Sequence, residues 1–268
     1  MSSKINVFSA SAGLQWLKQG WNIFKTQPMT FMFMYIFMIV VALIPLVLPP
    51  LQLVAAFTAP FLTIGFYLAV ISKQQGKTIS LADILKPFSI KGRRLNLFRL
   101  GIYQMGAVIL LTLLADSLFS ETFALMQQAT ENHNHEQLLA EVMKTLSIGN
   151  IGVFLLAHAV NLMAFAFALP LVFFKGENRI FKALGQSLKV FQTNMAPLTV
   201  FSLVIGVLML AAMPLSFVPL LIIMPVAYIG FFCSYLAIFP TDDTSDSNGQ
   251  DEKKSSQSSA INTGRFDA

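Results

Sequence analysis

The chain has 268 residues, 55% of them hydrophobic and 12% charged, with a mean hydropathy of +0.67. Soluble domains carry about 25% charged residues and roughly 45–50% apolar ones, so an ordinary water-soluble globule is excluded. What remains is a polytopic membrane protein; the formal net charge of +5 sits in loops between apolar runs, where membrane topology accounts for it, and no nucleic-acid partner is expected.

In chain order, residues 1–28 read as a cytoplasmic N-terminus carrying an amphipathic helix. Leu14, Leu17, Trp21 and Phe24 fall on one helical face, with Gln15, Lys18, Asn22 and Lys25 on the other, a pattern that predicts a helix lying in the membrane interface. No small-residue cleavage site follows the first apolar run, so a removed signal peptide is not expected. Residues 29–239 form the transmembrane domain, with apolar runs at 29–48, 51–71, 95–115, 148–174, 197–213 and 215–239. A helix rises 1.5 Å per residue, so runs of this order cross a hydrocarbon core of about 30 Å, and they lack the alternation of barrel strands.

Pro49 and Pro50 separate the first two runs, and Pro214 and Pro219 bracket the turn between the last two, so both pairs read as tight hairpins. Ahead of the third span, Ser80 and Asp83 form a Ser-x-x-Asp cap for a short helix carrying Ile84 and Leu85, which Pro87 is expected to end. Residues 121–145 read as a solvated, mostly helical loop. Ahead of the fifth span, Ile180, Leu184, Leu188 and Phe191 repeat the amphipathic pattern, with Lys182, Gln186 and Lys189 turned away. Residues 240–268, rich in Ser, Asp, Asn and Gln, read as a disordered cytoplasmic tail.

Basic residues set the orientation. Lys4, Lys18 and Lys25 precede the first span; Lys73, Lys77, Lys86, Lys91, Arg93, Arg94 and Arg99 surround the link between spans two and three; Lys175, Arg179, Lys182 and Lys189 lie between spans four and five. The other side holds Lys144 with Asp116, Glu121, Glu131, Glu136 and Glu141. The positive-inside rule therefore places both termini in the cytoplasm. The chain also repeats itself: Gln19, Ile23, Phe24, Thr26 and Gln27 correspond to Gln186, Val190, Phe191, Thr193 and Asn194, and Pro60, Ile64, Gly65 and Phe66 to Pro225, Ile229, Gly230 and Phe231. Both units start on the same side, which makes the repeat parallel. The expected fold class is thus all-α: six transmembrane helices in three hairpins, with interfacial amphipathic helices and a parallel internal repeat.

The pattern Gly20-Trp21-x-x-Phe24-x-x-x-Pro28, leading into a six-span chain of hairpins, resembles an uncharacterised family of proteobacterial inner-membrane proteins over about the first 240 residues. It is more distantly similar to the membrane domain of some glycerophosphodiester phosphodiesterases, whose repeated units also place an interfacial helix before a hairpin. The phosphodiesterase domain itself is absent from this sequence, so that activity is not implied. The resemblance implies a bacterial inner-membrane location and no established activity.

Polar groups inside the spans are costly and draw attention: His158 and Asn161 stand three residues apart on the fourth span, and Gln104 lies in the third. They form a candidate intramembrane polar site, weighed against the plainer role of single interhelical hydrogen bonds. Glu131, His133, His135 and Glu136 hold metal-ligating groups, but their spacing matches no metal motif, and neither a metal nor a cofactor is expected. Nucleophile-elbow and phosphate-loop motifs are absent, which disfavours an enzyme. The leading expectation is a non-enzymatic protein that organises lipid or partner proteins. Lys18, Lys25, Lys91, Arg93, Arg94, Lys182 and Lys189 are its candidate contacts to membrane lipids, anionic ones above all. The alternative is a small-solute or lipid transporter using the polar residues of spans three and four.

Overall fold

Among the described residues six helices are long and apolar enough to cross a membrane. The computed structural model describes residues 5–129, 141–215 and 218–239; among them 85% are helical and no strand forms. A spanning segment has no water for its backbone groups, and a helix satisfies them within itself. The chain is an all-α polytopic membrane protein.

The elements run in order: α1 (Ala12–Phe24), α2 (Pro28–Val47), α3 (Gln52–Gln74), a 3-10 turn (Leu81–Leu85) leading into α4 (Lys86–Ser89), α5 (Arg94–Ala129), α6 (Ile148–Phe174), α7 (Ile180–Thr193), α8 (Met195–Ala212) and α9 (Leu220–Ile238). The spans are α2, α3, α5, α6, α8 and α9, so α1, the α4 turn and α7 share one end of the bundle. Most of the basic residues lie there, and we call it the basic end. The sixth apolar run begins as a helix at Leu220, five residues later than its hydropathy predicts, because Pro219 occupies the N-cap and leaves no amide to join an earlier turn.

Two elements depart from expectation. The third span does not stop at residue 115: α5 continues for 36 residues, with a break at Phe119 (φ −125°, ψ 22°). A core of about 30 Å takes about 20 residues at 1.5 Å each, so the helical stretch is longer than one crossing requires. Asn150 donates to the Leu118 carbonyl beside the break, at 2.9 Å. Pro87 does not end the short helix either. The Ser80–Asp83 capping box forms as expected, but Pro87 sits in the first turn of α4, where a missing amide costs no hydrogen bond. The acidic and histidine-bearing stretch 131–136 and the tail 240–268 lie outside the described residues.

The three hairpins are joined at the basic end by two recurring contacts. In the first, a side-chain amide at or near the start of a hairpin binds the segment leading into the next lead-in helix. Gln27 accepts from the Ile79 amide at 3.2 Å and donates to the Ile79 carbonyl, just ahead of the Leu81–Leu85 turn. Asn96 donates to the Asn178 side chain, just ahead of α7, while Arg93 donates to the Phe173 and Phe174 carbonyls at the end of α6. Asn194 accepts from the Phe8 amide and donates to the Asn6 carbonyl, both at 3.0 Å, ahead of α1. The Asn6 amide in turn donates to the Ile238 carbonyl at 3.1 Å, closing the last hairpin onto the first lead-in segment.

In the second contact, each lead-in helix lies across the second span of the preceding hairpin. A Cβ on Gly65 of α3 would stand 1.9 Å from the Ile84 carbonyl oxygen of the 3-10 turn. Ser187 of α7 donates to the Met163 carbonyl of α6 and accepts from the Phe167 amide. A Cβ on Gly20 of α1 would stand 2.8 Å from the Gly230 amide nitrogen of α9, and one on Gly13 only 2.3 Å from the Pro197 carbonyl oxygen of α8. The buried core lies inside this ring, along α3 and α9, with Phe31, Phe66, Phe167 and Phe232 fully enclosed and Tyr67 stacked on Phe232 at 4.4 Å.

These crossings reset the faces of the lead-in helices. The side of α1 turned into the bundle carries Gly13, Trp16, Gly20 and Phe24, while Leu14 and Trp21, expected on one face with Phe24, are exposed. On α7 the buried positions are Ile180, Ala183, Ser187 and Val190, not the Leu184, Leu188 and Phe191 stripe. Small residues allow backbones to meet, and bulky apolar ones are free to point into lipid.

Candidate functional site

Two groups of residues stand out, one at the rim of the basic end and one within the spans. All seven basic residues singled out by sequence are exposed, but they are not equivalent. Arg93 is committed to the α6 C-terminus, where its guanidinium donates to two end carbonyls and lies 5.6 Å from the Phe173 ring centroid. Orphan carbonyls and the negative end of the helix dipole both favour a cation there. Lys182 pairs with Glu177 at 2.6 Å, and Arg94 reaches the Phe88 carbonyl at 3.5 Å. Lys18, Lys25, Lys91 and Lys189 make no hydrogen bond or ion pair among the described residues. Around them, Leu14, Trp21 and Phe181 expose apolar surface on the same lead-in helices, Phe181 at 72%.

Two acids belong to this rim, and each is held below the usual carboxylate range. Burial alone would raise Asp83, but the Ser80 amide and the Lys86 ammonium, 3.0 Å away, outweigh it. Burial would likewise raise Glu177, and the Lys182 ammonium with the Arg179 amide outweighs it. Both acids act as anchors for loop and cap geometry at physiological pH.

The second group lines a cavity of about 560 Å³ between α3, α5, α6, α8 and α9, which reaches Phe191 of α7 at its basic end. Its walls are mainly apolar, with Leu162, Met163 and Phe231 among them. Gln104 lines it, ten residues into α5 and so about 15 Å along that helix from its basic end, near the middle of a 30 Å core. Of the three intramembrane polar candidates it alone does so. His158, exposed as Gln104 also is, stacks on Phe154 with ring centroids 6.2 Å apart, and neither it nor the half-buried Asn161 is among the lining residues.

The structure adds Tyr67, Tyr228 and Ser202 to Gln104. Hydroxyl residues are tolerated in spans, so hydropathy does not single out Tyr67 and Tyr228, and Ser202 reads in the sequence only as a small packing residue spaced four from Gly206. A signal was present nonetheless. The chain has 25 Phe and 5 Tyr, and all the tyrosines fall within the spans, so each one marks a place where an aromatic ring also carries a hydroxyl. A smaller cavity of about 260 Å³, lined by Tyr35, adjoins the first through Thr63 and Tyr228, which line both. Among the described residues no cluster of His, Cys, Asp or Glu could hold a metal ion. Comparison with protein families, curated proteins and solved structures finds no match to this chain.

Proposed function

We propose that this integral membrane protein is a non-enzymatic organiser of anionic lipid in a bacterial inner membrane, with its basic end and both termini on the cytoplasmic side. One observation carries the reading: Lys18, Lys25, Lys91 and Lys189 stand exposed and, among the described residues, unpaired at one end of the bundle, beside exposed apolar side chains of α1 and α7. An ammonium near an anionic headgroup layer contributes about 1 kcal/mol, so four contribute roughly 4 kcal/mol, enough for a preference of about a thousandfold over neutral lipid. The lead-in helices are the interfacial elements in this reading, and their recurring contacts support a three-unit parallel repeat, with the middle hairpin as its third copy. The membership suggested by the Gly-Trp-x-x-Phe-x-x-x-Pro start belongs to the same proposal. A transporter reading retains Gln104 but not the expected grouping with His158 and Asn161, and is the less supported of the two.

The test is lipid retention. Protein extracted into native nanodiscs should carry anionic phospholipid enriched over bulk membrane, and the enrichment should fall severalfold when the four lysines are changed to Gln. Equal retention by a folded four-Gln variant would leave the lysines with topology alone and overturn the organising role.

A further inference from the structure

A polar group at the depth of a hydrocarbon core needs a partner, because lipid tails supply none. Tyr67 is 3% exposed, and its hydroxyl makes no hydrogen bond among the described residues; the buried side-chain polar atoms there all have partners, so this hydroxyl opens into the cavity that the residue lines. Gln104, Ser202 and Tyr228 line the same space, also without a hydrogen-bond partner among the described residues, and Gln104 and Ser202 are exposed where it opens to the surface of the bundle. The four groups lie at similar depth: Tyr67 is seven residues from the basic end of its helix, Ser202 seven, Gln104 ten and Tyr228 ten, or about 10–15 Å at 1.5 Å per residue. An acceptor joins them. Pro170 lacks the amide that would bind the Ala166 carbonyl, and Ala166 also lines the cavity.

The contents of the cavity are limited by its size and walls. At about 560 Å³ it has room for on the order of ten or more waters, yet each ordered water needs two to four polar partners, and five polar side chains on mainly apolar walls, with Thr63 already donating to the Ala59 carbonyl of its own helix, cannot order so many. An ionised headgroup is excluded as well: no Asp, Glu, Lys, Arg or His lines the space, and an unpaired charge there would be strongly disfavoured. The volume is that of a single small-molecule site, of roughly 300–1,000 Å³. We infer that the cavity binds one uncharged, single-chain amphiphile from the bilayer, whose hydroxyl or carbonyl head meets Gln104 and the hydroxyls of Tyr67, Ser202 and Tyr228 while its apolar body lies along α6 and α9. This site is separate from the lysine rim and does not depend on the function proposed for it.

The test uses the full chain in phosphatidylethanolamine–phosphatidylglycerol nanodiscs with a long-chain fatty alcohol bearing a mid-chain diazirine, and peptide mapping after photolysis. Saturable labelling is expected in residues 159–169 and 224–228, competed by the unlabelled alcohol and much weaker with the corresponding ionised fatty acid. Ser202→Ala and Tyr228→Phe each remove one hydroxyl at little cost in shape, and each should weaken half-saturation roughly three- to tenfold. Gln104→Leu should weaken it further. The four-lysine variant should label normally, which separates failure of this site from failure of the lipid-organising role. Labelling that never saturates and spreads evenly over the lipid-facing helices would mean that bulk acyl chains fill the space, and would overturn the site. Saturation unchanged by Ser202→Ala and Tyr228→Phe would do the same.

Discussion

At the basic end, amide side chains grip backbone segments, glycines let helices cross with their backbones in contact, and Asn194 and Ser187 are fully buried. At the opposite end Leu46, Val47 and Ile148 are 78%, 80% and 89% exposed, and the side-chain hydrogen bonds given among the described residues near the far part of α5 are Thr122–Thr145, just ahead of α6, and Asn150–Leu118, beside an edge-to-face contact of Phe119 with Phe154. The difference follows from the solvent. Lipid tails are as apolar as leucine, so burying a large apolar side chain gives spans little reason to associate. What joins them is close backbone approach and the satisfaction of polar groups, and both are concentrated at one end. The bundle is therefore fastened where its lead-in helices lie, and its other end is free to present apolar surface to the bilayer.

The strongest way to break this comparison is to add one methyl group where a lead-in element crosses a span and one near the opposite end. Gly65→Ala places a Cβ 1.9 Å from a backbone oxygen, which neither helix can yield without separating, whereas the Cβ of Gly152→Ala meets nothing within 4 Å. The first substitution should cost at least about 3 kcal/mol or prevent folding, and the second should be neutral or stabilising by up to about 1 kcal/mol through helix propensity. Thermal unfolding of both variants in the same detergent checks the contrast; equal midpoints would refute it. Next in size is Asn194→Ala, which strands the Phe8 amide and the Asn6 carbonyl and should cost about 2–3 kcal/mol. Hydrogen exchange should quicken at residues 6–8 while the helix around Asn150 keeps its protection. Uniform loosening of both ends would show that they are not fastened separately.

How far the sequence could be read follows the same division. Where the question was whether a segment crosses the membrane, hydropathy sufficed, and the fourth span coincides with α6 over residues 148–174. Where the question was which face a helix buries, hydropathy misled, since a bulky apolar residue in a membrane protein has two apolar destinations. Leu14 and Trp21 take the lipid, while Gly20 and Ser187, which carry no hydrophobic signal, mark the crossings. The extension of α5 past residue 115 was hidden because charged residues such as Asp116 end an apolar run without ending a helix. In the cavity, Gln104 was legible as an amide in an apolar run. Tyr67 and Tyr228 were not, because only the packing of α3 against α9 brings them to one space.

The smallest expected effect sharpens the comparison through pH. Asp83 and Glu177 both lie at the basic end, and both are held below the usual carboxylate range by the partners named above. A depressed folded-state pKa contributes stability at pH values above the ordinary carboxylate value near 4, and that contribution is lost as pH falls through the lower, folded value. The midpoint of unfolding should thus hold steady from pH 7 to about 5 and then decline in acid, with the share due to these two groups under about 4 °C, since partly exposed ion pairs contribute little. Asp83→Asn with Glu177→Gln should lower the midpoint slightly at pH 7 and flatten that decline. Asparagine still offers an oxygen to the Ser80 amide, so the cap survives and the charge is tested by itself. An acid response of unchanged size in the double variant would place the sensitive carboxylates elsewhere, and the basic end would then owe its firmness to crossings and amides alone.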